Sequence, residues 1–234
     1  MKLECEFATK SWELPKPWTS FTEGTYKLGH PTGAVIHYTA GAARPTSHIE
    51  TGRSELTKKH GDKYDIAYTY WLIGVTGEIL QTALVSRWGY HAGRAHWTNP
   101  TTAATTKSIN KEFIGIEIVN PGMLTKDENG ENYRSWFGQP YTPEQVRVFK
   151  EKTGNIYPGA YVPYTDEQER SLIKLLLWLK GNAPDIFDLD NVVGHDEVAY
   201  PRGRKQDPGG ALSMTMREFR LLLKNKYEQG LVKS

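Results

Sequence analysis

The chain alternates short apolar runs with longer polar stretches, and only two segments carry a clear helical stripe. Residues 34–39, with His37 among Ala, Val and Ile, read as a buried strand. Residues 66–73 form a second strand, and Val75, Thr76 and Gly77 turn it into 78–81 as a hairpin. Residues 113–119 form another short apolar strand, ended by Asn120, Pro121 and Gly122. Residues 191–194 form a last one and lead straight into His195. Thr165 and Gln168 have capping-box spacing, and Leu172, Leu175, Leu176 and Leu179 share one helical stripe. Thr215 with Glu218 caps a final helix that turns Phe219, Leu222 and Leu223 inward. A shorter helix starts at Thr142, where Pro143 takes the first helical position. Residues 47–60 are polar and leave room for helix. Strands interleaved with helices predict an α/β fold: a single domain with a central mixed β-sheet flanked by α-helices.

Residues 1–33 are rich in Pro, Trp and Thr and lack periodicity. They read as an N-terminal arm, with Trp12, Trp18 and Phe21 as anchors, laid over a domain of residues 34–234. Within that domain, 121–163 differ in character: polar, with Gly, Asn and Pro, and carrying Tyr133, Trp136, Phe137, Tyr141, Tyr157 and Tyr161. The stretch reads as an insertion between a strand and the Leu-rich helix. Its aromatics have two readings: a groove wall that stacks on sugars, or a surface elaboration around a small satellite core.

Composition narrows the function classes. The 234 residues carry 29 basic and 27 acidic side chains, a net charge of +2. Nothing here marks a nucleic-acid binder, which shows a strongly basic face, and an anionic polymer substrate is compatible. The length is enough to bury a sizeable core. The single cysteine, Cys5, allows no intrachain disulfide, so metal ligands must come from His, Asp or Glu. The first residues lack an apolar signal-peptide core, and no apolar stretch is long enough to span a bilayer. Cytoplasmic synthesis without a signal peptide, and no membrane insertion, are the resulting expectations.

Seven histidines are present. His37 lies inside the first apolar strand, where an imidazole must find a partner or a metal. A core histidine bonded to a backbone carbonyl is the plainer alternative. His195 follows another strand, and Lys205 and Asp207 come after it in the same segment. That places a nitrogen ligand and an oxygen ligand around a cation. Catalytic zinc sites take three protein ligands and keep one position open, and hydrolases need a donor for the developing oxyanion. Glu117 sits in the strand 113–119, where alternation puts Phe113, Gly115, Glu117 and Val119 on one face. Gly115 then leaves room beside Glu117 for a substrate or water. Glu117 reads as a proton carrier tuned by burial, or as the partner of a buried arginine.

Four motifs occur in order: Val35-Ile36-His37-Tyr38-Thr39-Ala40-Gly41, Tyr90-His91-Ala92-Gly93, Ile114-Gly115-Ile116-Glu117, and Gly194-His195 through Lys205 and Asp207 to Gly209. In that order they resemble the zinc-dependent N-acetylmuramoyl-L-alanine amidases of the type-2 amidase family. That group includes phage lysozyme-like amidases, the bacterial cell-wall recycling amidase and animal peptidoglycan recognition proteins. The resemblance spans 34–210 apart from 121–163. It implies that His37, His195 and Asp207 bind one Zn2+ per chain, with water in the fourth position. It also implies that Glu117 passes the water proton to the leaving amine and that Lys205 stabilises the oxyanion. The bond cut would be the amide between N-acetylmuramic acid and L-alanine of the stem peptide.

His91 matches a groove-lining motif of the family, and both a substrate contact and plain packing stay open for it. Relatives often carry a tyrosine or a histidine in the strand before Gly77. Here Tyr68 is taken as the substrate contact and Tyr70 as the alternative, because a one-residue slip in register swaps the faces, and packing by both is the third reading. The implied function is a phage-type endolysin, acting as a monomer on bacterial peptidoglycan after release, with no nucleic-acid partner. A cytoplasmic recycling amidase acting on soluble muropeptides is the alternative, and a non-catalytic peptidoglycan-binding module is a third reading. A zinc peptidase is disfavoured, because no His-Glu-x-x-His helix occurs.

Overall fold

The computed structural model describes residues 24–48, 50, 59–60, 63–64, 69–81 and 85–232. Trp12, Trp18, Phe21 and Tyr68 lie outside these residues. Four strands of the central sheet are β1 (Gly33–Tyr38), β2 (Trp71–Ile73), β3 (Ile79–Gln81) and β4 (Phe113–Ile118). Five short strands come after them: β5 (Met123–Lys126), β6 (Tyr133–Arg134), β7 (Pro140–Tyr141), β8 (Arg147–Phe149) and β9 (Gly159–Tyr161). Then come α1 (Asp166–Asn182), β10 (Val192–Gly194), α2 (His195–Val198) and α3 (Met216–Val232).

The central sheet has the order β10-β1-β4-β2-β3. The pairs β10 with β1, β1 with β4 and β4 with β2 are parallel, and β3 closes the edge as the antiparallel arm of a hairpin. The second strand is shorter than its sequence pattern predicts. Among the described residues it begins at Trp71, and Tyr70 is buried just before it.

Strand alternation divides the core. Ala34, Ile36, Ile114, Ile116 and Val192 face the two long helices. Val35, Phe113 and Val193 face the opposite way, against Ala92, Ile109 and Val198. The α1 stripe behaves as its spacing predicts: Leu172, Leu175, Leu176 and Leu179 are all buried. Each such side chain contributes about 1.5–3 kcal/mol on burial. The α1 capping box is complete, with Thr165 Oγ1 accepting from the Gln168 amide and Gln168 Oε1 accepting from the Thr165 amide. Thr215 and Glu218 make the same exchange at the start of α3, where Phe219 and Leu223 are buried and Leu222 is half-buried.

Residues 121–163 hold more structure than an insertion without clear pattern. They build a second five-stranded antiparallel sheet, in the order β7-β6-β5-β9-β8. Its own small core is Leu124, Tyr141 and Ala160, flanked by Tyr133, Val146 and Val162. The helix expected from Thr142 is a single 3-10 turn, Pro143–Gln145. The capping box is present, but Val146 is already extended and the chain enters β8. This sheet packs on the segment just past Asp207. Arg147 donates to the Gly210 and Leu212 carbonyls at 3.0 and 2.8 Å. Gly209 has φ +48°, and a Cβ there would meet the Tyr161 ring at 2.6 Å, so glycine lets the sheet seat closely.

Candidate metal centre

Parallel strands β10, β1 and β4 end on the same edge of the sheet, and open α/β sheets bind ligands outside such strand ends. His37 is the penultimate residue of β1, and Glu117 is the penultimate residue of β4. The two are register partners. Both project on the face opposite α1 and α3, as the alternation of their neighbours requires. His195 is the first residue of α2, directly after Gly194, which pairs with Ile36. Asp207 returns to His195 through a loop closed by the Asp196 amide, which donates to the Asp207 carbonyl at 2.8 Å.

Three ligand atoms converge. His37 Nδ1 lies 2.9 Å from His195 Nδ1 and 3.0 Å from Asp207 Oδ2, and His195 Nδ1 lies 2.9 Å from Asp207 Oδ2. All three residues are buried. The outer nitrogens decide where the protons sit. His195 Nε2 faces the Ala92 carbonyl at 3.0 Å, and a carbonyl only accepts, so Nε2 carries the hydrogen. His91 Nε2 donates to the Phe113 carbonyl at 3.0 Å for the same reason, which leaves His91 Nδ1 as an acceptor for His37 Nε2–H at 3.1 Å. Both ligand histidines therefore present a bare Nδ1 to the carboxylate.

Three acceptors at such distances repel one another unless a cation sits among them, and these residues fit a metal ion. Burial first, then the neighbouring His195, pushes the His37 imidazole down to about 4 against the pull of Asp207, and the charge of Lys205 adds to the shift. His37 is thus neutral near neutral pH, as a metal ligand must be. Burial opposes ionisation of Asp207, yet the adjoining His195 and His37 hold it below the usual carboxylate range. Two imidazole nitrogens and one carboxylate oxygen are a donor set used by catalytic zinc.

The fold brings most of the sequence-level candidates to one place. His37, His195 and Asp207 come together, with Glu117 on the neighbouring strand and half-buried Lys205 close enough to act on His37. The room at Gly115 is filled by His91 and not by a substrate or water: a Cβ at Gly115 would sit 2.9 Å from His91 Cγ. Tyr70 is fully buried, and its hydroxyl meets the Arg87 carbonyl at 2.7 Å and Tyr26 Oη at 2.8 Å, so it packs the interior. Among the described residues, the one buried arginine is Arg220, and it pairs with Glu197 in two bonds of 2.7 and 2.9 Å. Arg220 also donates to the Val192 carbonyl, while Glu197 accepts from the Gly194 amide, which pins the strand end that presents His195. Neither Arg220 nor Glu197 stood out in the sequence, because their partnership spans 23 positions.

A family model described as N-acetylmuramoyl-L-alanine amidase matches residues 27–210. The chain belongs to the N-acetylmuramoyl-L-alanine amidase family. For this amidase chain, a structure of AmpDh3 from Pseudomonas aeruginosa in complex with anhydromuramic pentapeptide is similar in fold. That likeness has 20% identity and a TM-score of 0.51, over 89% of this chain and 69% of that one. A second AmpDh3 structure matches at 19% identity and TM-score 0.51, over 98% of this chain and 74% of that one. AmiD from E. coli, in complex with an anhydro-N-acetylmuramic acid peptide, matches at 22% identity and TM-score 0.49 over 80% of this chain. The amidase chain spans 55% of that AmiD chain. No curated protein sequence matches it. Among the described residues, no helix is long and apolar enough to cross a membrane.

Proposed function

We propose that this amidase is a zinc enzyme that hydrolyses the amide between N-acetylmuramic acid and L-alanine in polymeric peptidoglycan, as a phage-type endolysin does. The observation that carries the proposal is the convergence of His37 Nδ1, His195 Nδ1 and Asp207 Oδ2 on one point, with the outer nitrogens facing His91 Nδ1 and the Ala92 carbonyl. One zinc ion held by these residues would polarise the scissile carbonyl and acidify a water. Glu117 takes the proton from the attacking water and returns it to the leaving amine nitrogen. Its position as the register partner of His37 on the neighbouring strand supports that role, since adjacent strands run about 4.8 Å apart. Lys205 brings a positive charge to the tetrahedral oxyanion; among the described residues no hydrogen bond or ion pair occupies its ammonium.

Polymer rather than fragment is favoured by Trp136. Its indole is 76% exposed, yet held: Nε1 donates to the Ala40 carbonyl at 2.5 Å, and the ring stands edge-on to Phe137 at 5.6 Å. Ala40 is three residues beyond His37, two past the end of β1. A rigid, exposed aromatic face beside a reaction centre suits stacking on a sugar ring. Tyr133 and Tyr141 serve instead the core of the second sheet. The test compares rates on intact sacculi and on soluble anhydro-muropeptides. Faster release from sacculi supports the endolysin reading, and exclusive turnover of the soluble fragments points to recycling.

A further inference from the structure

Behind the two histidines stands a single turn. His91 reaches His37 through its ring, and Ala92 reaches His195 through its carbonyl. The amides of both turn residues donate to one atom, Asn110 Oδ1, each at 2.8 Å. Asn110 Nδ2 then donates to the Gly93 carbonyl at 3.2 Å, so one buried amide side chain clamps three consecutive residues. The His91 ring is fixed from the other side by the Phe113 carbonyl and occupies the space that Gly115 leaves open. The ring therefore has both nitrogens committed inside the protein, and its edge faces the Tyr70 ring at 6.3 Å.

We infer that the turn 91–92, clamped by Asn110, is the positioning unit for both histidine ligands, and that His91 acts on the metal through His37 instead of on the substrate. The inference rests on the zinc role of His37, His195 and Asp207. The logic is one of hydrogen-bond polarity. The Phe113 carbonyl forces a proton onto His91 Nε2, His91 Nδ1 then forces one onto His37 Nε2, and His37 Nδ1 is left bare. The Ala92 carbonyl does the same for His195 in one step. Partners of this outer kind orient metal ligands and raise their basicity. Asn110 sets both relays without touching either ligand.

The test is zinc affinity by competition with a chromophoric chelator, on the full chain. His91→Phe keeps the ring volume and removes both nitrogens. It is expected to weaken zinc binding by about 10–100-fold and to shift the visible spectrum of the Co(II)-loaded protein. Asn110→Ala is expected to act in the same direction. Asn110→Asp, which keeps an acceptor for both amides but cannot donate to the Gly93 carbonyl, should recover part of the loss. Zinc affinity within about twofold of wild type in His91→Phe, with only KM raised, makes His91 a substrate contact and overturns the inference. A wild-type chain that itself retains no zinc overturns the metal reading as well, so the two failures are distinguishable. Histidine 15N spectra of the metal-free wild type give an answer that needs no variant to fold: the His37 proton is expected on Nε2, and a proton on Nδ1 contradicts the relay.

Discussion

Glu117 and His37 are register partners on the parallel strands β4 and β1, each one residue before its strand ends. Strand pairing, and not a loop, sets their spacing, so the carboxylate can be altered with little disturbance to the imidazole. Glu117→Gln is expected to retain zinc and the same KM while kcat falls by about 10²–10⁴-fold. Metal analysis beside steady-state kinetics checks this. Full turnover in the variant would move the proton-transfer role to another residue.

Gly115 offers a probe of how closely the interior is built. A methyl group there meets the His91 ring at 2.9 to 3.1 Å. Gly115→Ala should cost about 1–3 kcal/mol of stability through overpacking. Because the displaced ring is the one that holds His37, zinc affinity should fall alongside. Denaturant unfolding of the metal-free protein and chelator competition separate the two effects.

Trp136 is tied to Ala40 but lends almost nothing to a core. Trp136→Ala should leave stability and turnover of a small soluble muropeptide nearly unchanged. On sacculi, the KM is expected to rise about 3–10-fold, as loss of one stacking contact predicts. Equal kinetics on both substrates would remove the sugar platform from the account.

Asp190 links α3 to the loop at 99–102. It accepts from Lys224 Nζ and Thr101 Oγ1, each at 2.6 Å. Burial opposes its charge, but Lys224 and Thr101 outweigh it and lower its pKa. A depressed folded pKa gives stability that is complete above the unfolded value of about 3.9 and is lost as pH falls through the folded one. Asp190→Asn should cost about 1 kcal/mol near pH 7, because Lys224 is half-buried and stays partly solvated. The gap between variant and wild type should close under acid, which melting curves across pH would show.

His37, Glu117 and His195 are legible in the sequence because each breaks or ends an apolar strand, where a polar group needs a reason. Asp207 and Lys205 carry no such local signal and are marked by the ordered motif. The clamp of Asn110 on residues 91–93 is not legible, since it joins segments that only the folded sheet brings together. The second sheet escapes notice for another reason. Its strands β6 and β7 are two residues each, too short to show alternation. The capping signal at Thr142 does mark the start of a turn, but pairing of β8 with β9 overrides local preference from Val146 onward and makes the chain extended there.

In the proposed reaction, a metal held by His37, His195 and Asp207 supports cleavage of the muramoyl–alanine amide. The most direct measurement is digestion of purified peptidoglycan by the wild-type chain as isolated, after chelator treatment, and after zinc is restored. Stem peptides with free L-alanine amino termini are expected, lost with chelator and regained with zinc. Chelator-insensitive digestion, or new reducing sugar ends in place of alanine termini, would contradict it.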